Sequence, residues 1–252
     1  MITNSFDNKS EAKINPVLNE NACKLDACIL TFSKVIEEYV LKNYKCEKIG
    51  KIENATDMRV IYKINYKGKV IGFFKTYIGA SACVSSIEMS FSQIKTNKFV
   101  VFGGAGCLDK EIVHGKIMIP TEAYRDEGMS YHYAEASDYI KIKNYNVISE
   151  FMKINNIPYV KGKTWTTDAS FRETLHNFEK RKADGCISVE MECSAVQALC
   201  NFRNLEFYTF FTSGDLLDCP VWDKRHKEKE IKGTQHDSVY FDIAIELAKY
   251  IS

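Results

Sequence analysis

Between Cys186 and Phe211 the chain reads as strand, helix, strand, and each of the two strands runs into an acidic segment. The apolar run Cys186 to Val189 meets Glu190-Met191-Glu192, and the run Phe207 to Phe211 meets Thr212-Ser213-Gly214-Asp215. Between them Glu192 opens an apolar-periodic stretch through Ala195, Leu199 and Phe202. In an open parallel sheet, ligands sit at the carboxyl ends of the strands, so two acids there point to a binding site rather than to a solvated surface. Carboxylates in such a place suit a ligand rich in hydroxyls and basic nitrogens.

The rest of the chain repeats the alternation without a linker or a low-complexity break. Strand-like runs are expected at Ala27 to Leu30, Arg59 to Ile64, Lys69 to Phe74, Lys98 to Phe102, Ile112 to Ile119 and Pro158 to Val160. Ser33 is placed to cap a helix carrying Val35, Ile36, Tyr39 and Val40, and further helices are expected over Ser81 to Ile94, Tyr145 to Ile154, Ser170 to Arg181 and Ser238 to Ile251. The pattern is that of one α/β layered sandwich. With 252 residues, 45% apolar and 12% aromatic, the chain has enough material for one large core. Residues 1 to 20, polar and Asn-rich, are expected to form an extended arm before a single domain over 21 to 252. Leu217 to Thr234, dense in Lys, is expected to be a mobile loop.

A net charge of +1, from 34 basic and 33 acidic residues, gives no global field to attract nucleic acid or membrane, so small or locally bound ligands are favoured. No apolar run approaches the roughly 18 residues of a membrane span and no signal peptide is visible, so the expected location is cytoplasmic. The nine cysteines are odd in number and scattered, with no CxxC or Cys/His cluster; they read as small buried hydrophobes in a reducing compartment, and no metal site is expected.

Gly103-Gly104-Ala105-Gly106 follows a strand directly and is expected to be a turn whose amides can approach an anion. It lacks the spacing of the dinucleotide and P-loop motifs. Together with Tyr66-Lys67-Gly68-Lys69, Arg125-Asp126-Glu127-Gly128, Ser130-Tyr131-His132-Tyr133, Trp165-Thr166-Thr167-Asp168 and the two acidic segments, this turn makes the chain resemble the nucleoside phosphorylase superfamily from about Asp26 to the C-terminus. That superfamily includes purine nucleoside and uridine phosphorylases and related nucleosidases. The resemblance implies a three-layer sandwich around a mixed, largely parallel sheet, with no cofactor beyond phosphate as co-substrate.

The resemblance also assigns residues. Glu192 matches the carboxylate that accepts the ribose 2′ and 3′ hydroxyls, and Met191 the side chain beneath the sugar; Tyr77 stands where a second sugar-facing residue is expected. Asp215 matches the acid that protonates or hydrogen-bonds N7 of a purine, with His236 or Arg225 to steady it. Trp165 and Phe171 are available to stack on the base, and Asp168 and Arg172 to contact its edges. Gly103, Gly104 and Gly106 are expected at the phosphate, with Arg59 donated by a neighbouring subunit and Lys34 as a partial substitute. A shared site of this kind implies a homo-oligomer, from dimer to hexamer.

Two phosphate elements depart from the pattern. Thr31-Phe32-Ser33-Lys34-Val35 replaces a Gly-Asp-Pro-x-Arg segment, and Val101 replaces an arginine. Lysine is a point charge and does not reproduce a bidentate guanidinium. The expected activity is phosphorolysis of a purine nucleoside to free base and pentose 1-phosphate, in purine salvage; the alternatives are a nucleosidase that uses water and a non-catalytic nucleoside-binding protein.

Overall fold

Apolar strands with helices on both sides account for most of the chain, in a computed structural model that describes residues 1–113, 116–223 and 235–252, the side chains of 235–238 excepted. The first half supplies β1 (Cys23–Lys24), β2 (Ala27–Thr31), α1 (Lys34–Asn43), β3 (Cys46–Glu53), β4 (Met58–Tyr66), β5 (Lys69–Lys75), α2 (Ala80–Ser90), β6 (Ile94–Lys95) and β7 (Lys98–Cys107). The second supplies α3 (Lys110–Val113), β8 (Ile117–Asp126), β9 (Tyr139–Lys141), α4 (Tyr145–Ile154), β10 (Tyr159–Thr167), α5 (Leu175–Ala183), β11 (Cys186–Glu190), α6 (Cys193–Phe202), β12 (Glu206–Leu216) and α7 (Gln235–Tyr250).

Ten strands form one sheet in the order β11-β10-β8-β12-β7-β2-β5-β4-β3, with β9 on β8. Strand β2 runs parallel to β5 and β7, β7 to β12, and β10 to both β8 and β11. The β3-β4-β5 meander is antiparallel. Strand β11 also returns to β7, antiparallel, through Ser188 opposite Cys107 and Val189 opposite Gly106. The sheet is therefore mixed and largely parallel, as expected, and it curls so that β11 closes on its middle. Strand β1 pairs with β6 as a separate two-stranded ribbon.

The alternation along β7 shows why its sequence is continuously apolar. Phe99 and Val101 point into one core with Val84 and Ile87 of α2 and Val196 and Leu199 of α6. Val100 and Phe102 point into the other with Val40 of α1, Phe151 of α4 and Phe241 of α7. A strand covered on both faces has no polar side to show in its sequence. Each large side chain buried there contributes about 1.5 to 3 kcal/mol from apolar burial.

Local signals set several boundaries. Ser33 caps α1, its Oγ accepting from the Ile36 amide at 3.3 Å. The expected strand Ile112 to Ile119 divides instead: Asp109 Oδ1 accepts from the Glu111 and Ile112 amides at 3.1 and 3.2 Å, which starts α3, and β8 follows. The expected helix Ser170 to Arg181 also divides, into a 3-10 turn Ser170–Arg172 and α5, because Thr174 caps a new start through its Oγ1 and the Asn177 amide. Strand β3 escaped the sequence reading because only Ile52 of its residues is buried, which leaves a polar edge strand without alternation.

The glycine segment is a correction. Gly103, Gly104 and Gly106 do not form a turn; β7 runs on through them to Cys107. A Cβ on Gly106 would lie 2.6 Å from Leu217 Cδ1 and 2.8 Å from Val189 Cγ1. The glycine is needed for close approach of two neighbouring segments rather than for a reversal of the chain.

A similar approach joins β10 to β11, where a Cβ on Gly162 would stand 2.7 Å from Ile187 Cγ2. Gly162→Ala should cost about 1 to 3 kcal/mol of overpacking, read as a lower midpoint in urea or thermal unfolding. In a double-mutant cycle with Ile187→Ala the two losses should be less than additive, and additive losses would mean that the side chains do not meet.

Candidate active site

The site begins at the end of β11. Glu190, its last residue, is 7% exposed, and its carboxylate joins three elements. Oε1 accepts from Thr166 Oγ1 of β10 at 2.5 Å, and Oε2 accepts from the Glu192 and Cys193 amides, at 2.8 and 2.7 Å, where α6 starts. Those amides have no partner inside the helix, so the carboxylate serves as their cap and meets the positive end of the helix dipole. Thr166 Oγ1 in turn accepts from the Ser194 amide at 3.1 Å. Burial, with the charge of Glu192 second, pushes Glu190 up from the usual carboxylate range, while these donors pull it back.

Glu192 stands at the N-cap position of α6 and accepts at 2.6 Å from the amide of Gly79, a residue whose φ of 100° suits glycine. This tether fixes the carboxyl at the edge of the cleft. Burial also raises Glu192, with the Gly79 amide opposing it.

Glu192 and Met191 line one cleft of about 1330 Å³, together with the glycines of β7, Thr31 and Phe32 at the end of β2, and Asp215 on β12. Asp215 Oδ2 accepts from the Trp222 indole N–H at 2.6 Å. Phe171 and Glu173 enter from the break before α5. Phe171 is 92% exposed within its own chain, an open aromatic face at the mouth of the cleft. The ring of Phe32 covers β7 at Gly103, where a Cβ would be 3.0 Å from Phe32 Cδ2. Among the described residues of the lining, Lys110 is the one basic side chain, against the carboxyls of Glu173, Glu179, Glu190, Glu192, Asp215 and Asp218.

Several residues assigned from the sequence lie elsewhere. Trp165 is 1% exposed and packs with Leu108, Phe178 and Val189, its indole N–H donating to Asp126 Oδ2 at 3.0 Å. It is a core side chain rather than a stacking surface. Asp168 accepts from the Gly128 amide at 3.0 Å, and neither it nor Arg172 is among the lining residues. Tyr77 donates to the Asp57 carbonyl at 2.9 Å, and its neighbour Ile78 lines the cleft instead. Arg59 pairs with Asp57 and lies over the Tyr77 ring, 4.4 Å from its centroid, outside the cleft of its own chain. Lys34 pairs with Glu38 in solvent. Arg225 and the side chain of His236 lie outside the described residues.

Glu173, Trp222 and Phe32 were not singled out as site residues. Glu173 was hidden inside an expected helix, and Trp222 inside an expected loop; only Thr174, a residue type that caps helix starts, could have drawn attention to the first. Among the described residues, no disulfide forms and no helix is long and apolar enough to cross a membrane.

A sequence model of the phosphorylase superfamily matches residues 27–239. The chain is 24% identical over 174 residues to a DeoD-type purine nucleoside phosphorylase of Exiguobacterium sp., spanning 66% of this chain and 72% of the relative. It is 22% identical over 169 residues to a protein of the same description from Aliivibrio fischeri, spanning 65% and 67%. Among solved structures it is similar to uridine phosphorylase from Vibrio fischeri, with a TM-score of 0.72, 18% identity and 98% and 99% of the two chains covered. It is also similar to futalosine hydrolase of Helicobacter pylori, with a TM-score of 0.65, 15% identity and 92% and 98% covered.

Glu190→Gln places an amide NH2 where the carboxylate meets only donors. It should lower stability by about 1 to 3 kcal/mol, measured by urea unfolding, since a buried donor is left facing a donor. An unchanged midpoint would remove Glu190 from the joint between β10 and α6.

Proposed function

Because the chain belongs to the phosphorylase superfamily, whose sequence model spans residues 27–239, we propose that it breaks the N-glycosidic bond of a purine nucleoside. The observation that carries this reading is the placement of Glu192 and Asp215 in one cleft, Glu192 held by the Gly79 amide and Asp215 by the Trp222 indole. Glu192 accepts from the ribose hydroxyls, Met191 lies under the sugar, and Asp215 with Trp222 and Phe171 forms the base end. Fixing the sugar beside a negative charge favours the positive charge that develops on it as the bond to the base lengthens.

The described lining supports water as the nucleophile. Phe32 covers Gly103, Val101 stands where an arginine was expected, and Lys34 and Arg59 lie outside the cleft of this chain. Bringing a phosphate dianion among several carboxyls without a guanidinium is costly, whereas water carries no such penalty. Phosphorolysis is the second reading. It is favoured by the names of the DeoD-type relatives, and by Arg59, whose position outside its own cleft fits service to a second copy of the chain in a homo-oligomer.

A panel of purine and pyrimidine nucleosides, incubated with and without phosphate and scored for free base, ribose and ribose 1-phosphate, tests both readings. Free ribose at a rate independent of phosphate is expected for hydrolysis; ribose 1-phosphate formed only with phosphate would select the second reading. Glu192→Gln should remove roughly 2 to 4 kcal/mol of transition-state stabilisation, read as kcat/KM on the best nucleoside. An unchanged kcat/KM would mean that Glu192 does not hold the sugar.

A further inference from the structure

Helix α5 turns one face to the cleft. Leu175 lines it together with Phe178 and Glu179, three and four residues further on, and Phe171 of the preceding 3-10 turn lines it as well. Thr174 caps the start of α5, so the fold sets where this face stands. Phe178 is buried in one cluster with Trp165 and Val189, but Leu175 is 74% exposed and Phe171 92% exposed. Single apolar side chains on a surface are ordinary, whereas two on the wall of one cleft, continuous with a core residue, mark a surface that an apolar group can cover.

This wall adjoins the base end. Leu217 packs on the cluster that holds Phe178 and Val189. Leu217 and Asp215 both close on Gly106, where a Cβ would stand 2.6 Å from Leu217 Cδ1 and 3.4 Å from Asp215 Oδ1. Contacts thus lead from Asp215 through Gly106 and Leu217 to Phe178, and along the face of α5 to Leu175. Glu192 is tethered elsewhere, to Gly79 after β5. The cleft, at about 1330 Å³, is larger than the roughly 300 to 1,000 Å³ of most small-molecule pockets, so a bare nucleoside leaves part of it unfilled.

On the reading that this cleft binds a purine nucleoside, we propose that its substrate carries an apolar, ring-bearing substituent on the exocyclic atom at C6 of the purine, seated on Leu175, Phe178 and Phe171. N7 and the exocyclic C6 group lie on one edge of a purine. With Glu192 on the sugar and N7 turned to Asp215, that edge is the one carried toward α5. An aromatic group there exchanges water for the apolar faces of Phe171 and Leu175. Glu179 stands on the same face of the helix, so a neutral substituent is accepted and an acidic one is refused.

The test compares substrates that differ only in this group. For the wild type, kcat/KM on N6-benzyladenosine should exceed that on adenosine by about tenfold, the scale on which added apolar carbons are recognised by a pocket. N6-(4-carboxybenzyl)adenosine should lose that advantage, and 5′-benzylthio-5′-deoxyadenosine should show none, because its ring leaves from the sugar end. Leu175→Asn puts an amide of similar size at an exposed position, and Phe171→Ser removes the ring; each should lower the benzyl-to-adenosine ratio about fivefold or more. Calorimetry on the free bases, N6-benzyladenine against adenine, should show the same preference and the same loss in Leu175→Asn without any bond being cleaved.

The proposal is overturned if the wild type has no preference for the benzyl compounds, or if both variants keep it. A gain on the 5′-benzylthio compound alone would assign the wall to the sugar side. A Leu175→Asn variant that breaks up an oligomer while the ratio stays unchanged would assign it to a second copy of the chain. The free-base titration keeps this inference apart from the proposed function: a protein that cleaves no nucleoside, yet binds benzyladenine more tightly than adenine and loses that preference in Leu175→Asn, keeps the substituent site while the proposed function fails.

Discussion

The carboxylate of Glu190 holds together the part of the molecule on which the cleft is built. It binds the Thr166 hydroxyl of β10 and two amides at the start of α6 from the last residue of β11. A hydrogen bond contributes about 0.5 to 1.5 kcal/mol, and here three of them offset part of the burial of the carboxyl. Their geometric effect is as important as their energy. They set where α6 begins, and so where Glu192 stands beside Gly79. The pairing of Val189 with Gly106 then brings this end of β11 over β7, which is possible because Gly106 has no side chain.

Charge balance narrows what such a cleft accepts. Its described lining presents several carboxyls and one lysine, with aromatic rings from Phe32, Phe171 and Trp222. Carboxylates are acceptors for hydroxyls and ring N–H groups, and aromatic faces offer flat apolar contact. Within the described lining, that combination suits a hydroxyl-bearing, planar molecule.

Several motifs that carry the family resemblance serve the scaffold rather than the ligand. Arg125 donates to Ser130 Oγ and to the carbonyl of Glu135, holding the loop after β8 in place. Asp126 receives the indole of Trp165, and Glu127 joins the Ser130 amide to the Ser194 hydroxyl, at 2.9 and 2.8 Å. A sequence pattern marks such residues without distinguishing a side chain that touches substrate from one that holds the loop carrying it. For that reason the stacking role expected of Trp165 was misplaced, whereas the positions of Glu192 at the start of α6 and of Asp215 near the end of β12 were legible.

By itself the sequence determined the layered α/β class, most strand positions, the Ser33 cap and the two acids at the ends of β11 and β12. These follow from hydrophobic periodicity and local hydrogen bonding, which act over a few residues. Only the tertiary structure decided that Gly103 to Gly106 continue a strand, that β11 closes on β7, and that the Trp222 indole meets Asp215. Those outcomes depend on how closely segments distant in the chain approach one another. No local pattern encodes that distance, because it is set by the side-chain volumes of both partners together.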